Sequence, residues 1–212
     1  MKFYNGDPKD PIFAVYEEDG ICYPVFAEKY GTEGFPFTPD LEEITDEETV
    51  ASLKKYMQPY EEGKPRIYMA GPLFNEGDRY TNLRNSNALR SAGYTTFLPQ
   101  EIVITEKSSH LVKAGCFYMD LKAIRLCDVL LANCNGIEID SGTAAEIGLA
   151  YALKKQIFAY KSDVRNYYDE VNVLNNFVAG LVDGPVLRSI EDVLLALFSL
   201  ENKSANCSKI EE

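Results

Sequence analysis

Eleven residues, Asn133 to Thr143, carry two asparagines, two glycines and the acids Glu138 and Asp140, and they run directly into Ala144-Ala145-Glu146. Carboxylates at this density can serve as nucleophile, as general base or, where neighbouring negative charge raises a pKa, as general acid. A plainer reading fits the same letters. Thr143-Ala144-Ala145-Glu146 has the spacing of a capping box, with Glu three residues after Thr. Asp140 is then a loop acid drawn to the positive end of a helix. Two further candidates are Tyr68, in the strand leading into the loop after Ala70, whose phenol can reach the Glu146 carboxylate and hold one oxygen by a hydrogen bond, and Asp120, an acid in what reads as helix interior, where Asp is a poor choice.

Composition narrows the chemistry further. The chain has 212 residues, a single histidine (His110) and five cysteines with no CxxC pair. That pattern speaks against a histidine-rich metal centre, a zinc site or a disulfide framework, and it points to a reducing cytoplasm. No metal and no cofactor is expected, so carboxylates and tyrosines carry the polar chemistry. Acids exceed bases by 33 to 21, a net charge of −12. This excess argues against a protein that binds nucleic acid by neutralising phosphates and against docking on an anionic membrane. No stretch approaches the ~20 apolar residues of a membrane span, and Met1 to Pro11 lack the apolar run of a signal peptide.

These groups need elements to position them. From Arg66 onward strand and helix patterns alternate. Strands are expected at Ile67–Ala70, Tyr94–Leu98, Asp128–Ala132 and Ile157–Tyr160, with a fifth at Val186-Leu187. Helices are expected over Asp78–Ala92, Ala114–Leu126, Ala144–Lys154 and Ser189–Leu200, followed by a polar tail. The alternation predicts βαβ units and a mostly parallel sheet of about five strands, which binds ligands outside the carboxyl ends of its strands. The loops to inspect therefore follow Ala70, Leu98, Ala132 and Tyr160. The first, Gly71-Pro72-Leu73-Phe74, is neither a dinucleotide nor a triphosphate cradle. Gly71 reads as a turn that allows close backbone approach, and Phe74 as a pocket wall. Residues 1–64 read differently: a hairpin with strands Ile12–Tyr16 and Ile21–Phe26, a loop over Gly31–Pro39, a helix opened by Thr45-Asp46-Glu47-Glu48, and a linker over Pro59–Pro65. The expected domains are thus an extension, 1–64, and a catalytic domain, 65–212.

Ile67-Tyr68-Met69-Ala70-Gly71-Pro72-Leu73-Phe74, Asp120-Leu121 with Ile124 and Asp128, and Asp140-Ser141-Gly142-Thr143-Ala144-Ala145-Glu146-Ile147-Gly148 together resemble the nucleoside 2-deoxyribosyltransferase family, over about Arg66 to Leu200. The resemblance implies a flavodoxin-like α/β fold. It also implies retaining transfer of 2-deoxyribose between nucleobases in nucleotide salvage, with hydrolysis as a side reaction. Glu146 matches the family's nucleophile and Tyr68 the tyrosine that orients it. Asp120 and Asp140 match acids that bind the base, one of them protonating it as it leaves. Partners would be 2′-deoxynucleosides and free purine or pyrimidine bases. Asn175-Asn176-Phe177 resembles an Asn-x-Met segment that a neighbouring subunit of a homo-oligomer donates to the sugar site, with Phe177 where Met is usual. Residues 1–64 match nothing in the family core and their role is open, an oligomerisation element or a lid being the hypothesis to test. Two other functions fit: an N-glycosidase acting on 2′-deoxynucleoside 5′-monophosphates, for which Arg79 and Arg84 are candidate phosphate donors, and a non-catalytic nucleoside-binding protein in which Glu146 is only a helix cap.

Overall fold

The computed structural model describes the chain except for residues 8, 11, 103–108, 164, 166–172 and 208–212, and for residues 109–114 and 203–207 it describes the backbone. In chain order the elements are β1 (Lys2–Asn5), β2 (Ala14–Glu18), β3 (Ile21–Pro24), α1 (Ala27–Tyr30), β4 (Phe35–Pro36), β5 (Glu42–Glu43), α2 (Glu47–Met57), β6 (Arg66–Ala70), α3 (Glu76–Ser91), β7 (Thr95–Phe97), α4 (Ser109–Leu126), β8 (Val129–Asn133), α5 (Ser141–Ala152), β9 (Gln156–Tyr160), α6 (Asn176–Ala179) and α7 (Ile190–Cys207). They form two compact units: Met1–Glu61 with Pro99–Leu126, and Glu62–Leu98 with Cys127–Glu212. Compactness thus divides the chain differently from a single boundary at 64/65. Helix α4 groups with the N-terminal residues because it packs on them. Phe26 lies against Gly115, where a Cβ would stand 2.5 Å from its ring, and the Tyr60 hydroxyl donates to the Ala123 carbonyl at 3.0 Å.

The first unit holds an antiparallel sheet of order β4-β3-β2-β1-β5. The expected hairpin is β2–β3. Its turn places Asp19 (φ 52°) and Gly20 (φ 79°) in the left-handed region that a two-residue hairpin turn requires. Strand β1 was not expected; it is recruited by pairing along β2, Phe3 opposite Tyr16 and Tyr4 opposite Val15. The expected loop after Gly31 contains β4, two residues paired to β3. Tyr4, Val15 and Cys22 form a core under Phe13, Phe35, Phe37 and Leu41. Helix α2 begins one residue later than its expected cap. Asp46, not Thr45, accepts the Thr49 N–H at 3.0 Å, since a carboxylate in extended backbone reaches the third helical amide directly.

The second unit is built on a four-stranded parallel sheet of order β7-β6-β8-β9. Its strands are buried on both faces, which is why they read as continuous apolar runs. Side-chain alternation divides them. Ile67, Met69, Val129, Leu131, Phe158 and Tyr160 join Leu89 of α3 and Val193 and Leu197 of α7 in one core. Tyr68, Leu130, Ala132, Ile157 and Ala159 take the other face, along which α5 packs and buries Ile147 and Ala150. Each fully buried side chain of this size contributes roughly 1.5–3 kcal/mol. The expected fifth strand shrinks to one bridge: Leu187 pairs in parallel with Tyr160, with bonds of 2.9 Å from its N–H to Ala159 and 2.8 Å from Lys161 N–H to its carbonyl. β6 and β8 are neighbours, yet the chain leaves β6 for α3 on one face and β8 for α5 on the other. Their carboxyl ends therefore flank a crevice at the point where the strand order reverses. Among the described residues no helix is long and apolar enough to cross a membrane.

Candidate active site

Period-two alternation along β6 sends Tyr68 to the α5 face, where it has no solvent exposure. Its ring stacks on Phe97 of β7 with centroids 5.7 Å apart and planes at 12°. Packing thus fixes the ring, and the hydroxyl at its tip donates to Glu146 Oε1 at 2.6 Å. That is the length of a charge-assisted O–H···O⁻ bond.

Glu146 does not cap its helix. α5 starts at Ser141, three residues before the expected Ala144, and its N-cap is Asp140. Asp140 Oδ2 accepts from Thr143 N at 3.1 Å and Thr143 Oγ1 at 3.4 Å, satisfying one of the amides that the first helical turn leaves orphaned. The cap so placed puts Glu146 in the second turn, half-buried. The expected Thr143–Glu146 capping box is therefore corrected: Asp140 with Thr143 is the capping pair, and the Glu146 carboxylate is engaged by Tyr68.

The other expected site residues fall out as follows. Gly71 lies where a Cβ would approach Asn133 Cβ and Asn82 Oδ1 at 3.0 Å each, so it is the close-approach glycine that its sequence context suggests. Phe74, in the same loop, is 81% exposed. Asn175 caps the short α6, its Oδ1 accepting from Phe177 N at 2.9 Å, and Phe177 stands 77% exposed beside it. Asn175 also lines a cavity of about 240 Å³ with Cys134, Ile137, Ile139, Ala144 and Lys161; neither Tyr68 nor Glu146 borders it. Asp120 sits within α4 of the first unit, with its Oδ1 fully buried. Burial, reinforced by the Asp120 charge, pushes the neighbouring Cys116 thiol up to about 11. Asp128 is structural, its carboxylate bound by the Arg66 guanidinium at 2.6 and 3.1 Å. The His110 side chain lies outside the described residues.

Several residues around the carboxyl edge were not foreseen. Lys161 is 1% exposed, and its ammonium donates to the carbonyls of Cys134 (3.2 Å) and Gly136, fastening the loop that leads to α5. Burial lowers its pKa. Asp163 accepts from Gly136 N at 3.1 Å and from Arg165. The sequence signal was present: a lysine directly after the apolar run Ile157–Tyr160, and asparagine ending the run Val129–Ala132.

The family model described as nucleoside 2-deoxyribosyltransferase matches residues 67–201. A conserved protein from Enterococcus faecalis V583 is 30% identical, covering 62% of this chain and 96% of its own, with a TM-score of 0.55. A 2-deoxyribosyltransferase from Bacillus psychrosaccharolyticus is 25% identical, covering 60% of this chain and 89% of its own, with a TM-score of 0.52. No curated protein matches the chain. With more than half of its residues under that family model, and a parallel sheet that carries Tyr68 bonded to Glu146, the chain belongs to the nucleoside 2-deoxyribosyltransferase family.

Proposed function

We propose that this protein transfers 2-deoxyribose between nucleobases through an ester on Glu146. Family membership supports an enzyme acting on nucleosides, either a deoxyribosyltransferase or a related N-glycosidase. The observation that carries the finer reading is the Tyr68–Glu146 bond: a half-buried carboxylate, held in one orientation by a donor that is itself locked in the core, has the arrangement of a nucleophile.

One Glu146 oxygen attacks C1′ while the C1′–N bond breaks. The base departs with the bonding pair and takes a proton at a ring nitrogen from an acid, for which Asp140 and Asp120 are the candidates. For Asp120 this role rests on the motif alone. A second base then attacks C1′ through a ring nitrogen, returning that nitrogen's proton to the acid that protonated the first base, while the C1′–O ester bond breaks and restores the Glu146 carboxylate, so two inversions give net retention. Water in place of the second base gives hydrolysis as a side reaction. The transition state resembles an oxocarbenium ion; a 2′-hydroxyl withdraws electrons from it, which favours deoxy substrates. Asn175 and Phe177 are proposed to complete the sugar site of a neighbouring subunit, a role consistent with their exposed position.

The 5′-monophosphate reading would call on Arg79 and Arg84 as phosphate donors; the Arg79 guanidinium donates to the Leu73 carbonyl at 2.9 Å, and the Arg84 guanidinium to Asn85 Oδ1 and the Tyr160 hydroxyl, so substrate choice is decided by experiment. The test supplies a panel of 2′-deoxynucleosides, and their 5′-monophosphates, with and without a second free base. Formation of the new deoxynucleoside by wild type, and its loss in Glu146→Ala, is expected. Base release from monophosphates only, independent of acceptor, would establish the hydrolase instead. Full activity in Glu146→Ala would remove the nucleophile assignment.

A further inference from the structure

Behind the sheet face that carries Tyr68, a head-to-tail chain of amides joins three loops at the carboxyl edge. Asp163 N–H donates to Asn135 Oδ1 at 2.9 Å. Asn135 N–H donates to Asn133 Oδ1 at 3.1 Å. Asn133 Nδ2 donates to Asn82 Oδ1 at 2.7 Å, and Asn82 Nδ2 donates to the Pro72 carbonyl at 2.9 Å. Asn82 and Asn133 are 3% and 5% exposed. Asn133 ends β8 with the side-chain parity of Val129 and Leu131, so it lies on the α3 face, opposite the face of Tyr68 and Glu146.

The placement is specific. Asn133 ends the strand whose loop leads to Glu146, and Pro72 belongs to the loop that follows the strand of Tyr68. β6 and β8 are the neighbouring strands at which the sheet order reverses. Gly71 lies directly on the amide pair, with no room for a Cβ. Packing alone would be served by two apolar residues, and such a pair would spare the fold two buried amides that are costly unless bonded at both ends. Here each amide is bonded at both ends, one end to its amide partner and the other to the backbone of a different loop.

We propose that Asn82 and Asn133 are positioning residues: their amide pair sets the spacing between the loop after β6 and the loop after β8, and thereby the approach of the deoxynucleoside to Glu146. This rests on the deoxyribosyl-transfer reading above. Rates respond steeply to such spacing, a displacement of ~1 Å costing on the order of 100-fold.

Asn82→Asp tests it with little change of shape. An ionised carboxylate cannot donate to the Pro72 carbonyl; a protonated one can, while its other oxygen still accepts from Asn133. Burial raises the pKa of the introduced group, so protonation is reachable at mildly acid pH. Base exchange is measured for wild type and variant from pH 5 to 8.5, well below the melting temperature of each. The expected result is a kcat about 10- to 100-fold below wild type at pH 8, a KM within about threefold, and a variant-to-wild-type kcat ratio that climbs as pH falls. Asn133→Asp follows the same logic at the other amide and is read in its place if Asn82→Asp is unfolded at pH 8. A kcat ratio near one at every pH, with only the melting temperature lowered, would make the pair structural and overturn the proposal, as would a lowered ratio that does not respond to pH. Wild type that exchanges no base would instead sink the deoxyribosyl reading, and this proposal with it; the wild-type arm tells the two failures apart.

Discussion

The Tyr68 hydroxyl and Glu146 Oε1 lie 2.6 Å apart although 78 residues separate them in sequence. The donor sits on a buried strand and the acceptor in the second turn of the helix that packs across that strand. Tyr68→Phe keeps the ring stacked on Phe97 and removes only the donor. A hydrogen bond to a charged group is worth about 1.5–3 kcal/mol, so kcat for base exchange is expected to fall about 10- to 100-fold, with the melting temperature lowered by about 3–12 °C and the variant still folded at the assay temperature. Steady-state kinetics with thermal denaturation measure both. A Tyr68→Phe enzyme within twofold of wild type would show that Glu146 needs no such orientation.

Asp140 has an observed role as the N-cap of α5 and a proposed one in base departure, and two substitutions separate them. Asp140→Ala removes the acceptor for Thr143 N–H and is expected to cost about 1 kcal/mol of stability. Asp140→Asn keeps a capping oxygen but has no ionisable group. If Asp140 takes part in the chemistry, the Asn variant melts near wild type and yet loses at least tenfold in kcat. Wild-type turnover in Asp140→Asn would leave Asp140 a cap and nothing more.

The second unit was legible because parallel strands buried on both faces announce themselves as apolar runs, and Gly93, at φ 98°, ends its helix where a glycine should. The pairing of Tyr68 with Glu146 was legible from the strand and loop positions of the two residues and is present, whereas the place of Asp140 as the cap of α5 was not legible. A Thr-x-x-Glu spacing looks the same whether Thr143 or Asp140 is the cap, and only the backbone entering α5 at Ser141 decides it. β1 and β4 escaped because strands of four and two residues exist through their partners and carry no period of their own. The amide chain through Asn82 and Asn133 was invisible for a related reason: its members come from a helix and a strand that only the sheet order brings together.

Acid stability should depend on Asp163. The Arg165 guanidinium hydrogen-bonded to it, helped by the Arg165 and Gly136 amides, holds its carboxyl below the ordinary value of 3.8. A carboxyl depressed in the folded state contributes stability that is fully present above its unfolded pKa and is lost as pH falls below it. The melting temperature of wild type is therefore expected to fall as pH drops below about 4. Asp163→Asn is expected to melt lower than wild type at pH 7 and to lose less on acidification. Identical melting curves against pH for the two proteins would mean that the Asp163 contacts contribute nothing to folding.

In the first unit, Gly115 stands in the middle of α4, where replacement of Gly by Ala ordinarily stabilises a helix by up to about 1 kcal/mol. Here the sign should reverse. An added methyl would stand 2.5 Å from Cζ of Phe26, and Phe26 is fully buried, with Tyr56 4.9 Å away between ring centroids, so its ring has nowhere to retreat. Overpacking of this kind costs about 1–3 kcal/mol, which outweighs the helix gain, and Gly115→Ala is expected to melt several degrees below wild type. Phe26→Leu shortens the side chain that is in the way. On its own it loses stability by opening a cavity, but the added methyl then fills part of that space. The double variant should therefore be more stable than the sum of the two single losses, by a coupling of 0.5 kcal/mol or more as expected for residues in contact. Additive losses in denaturant titration would mean that Gly115 is required by α4 itself and not by its contact with Phe26.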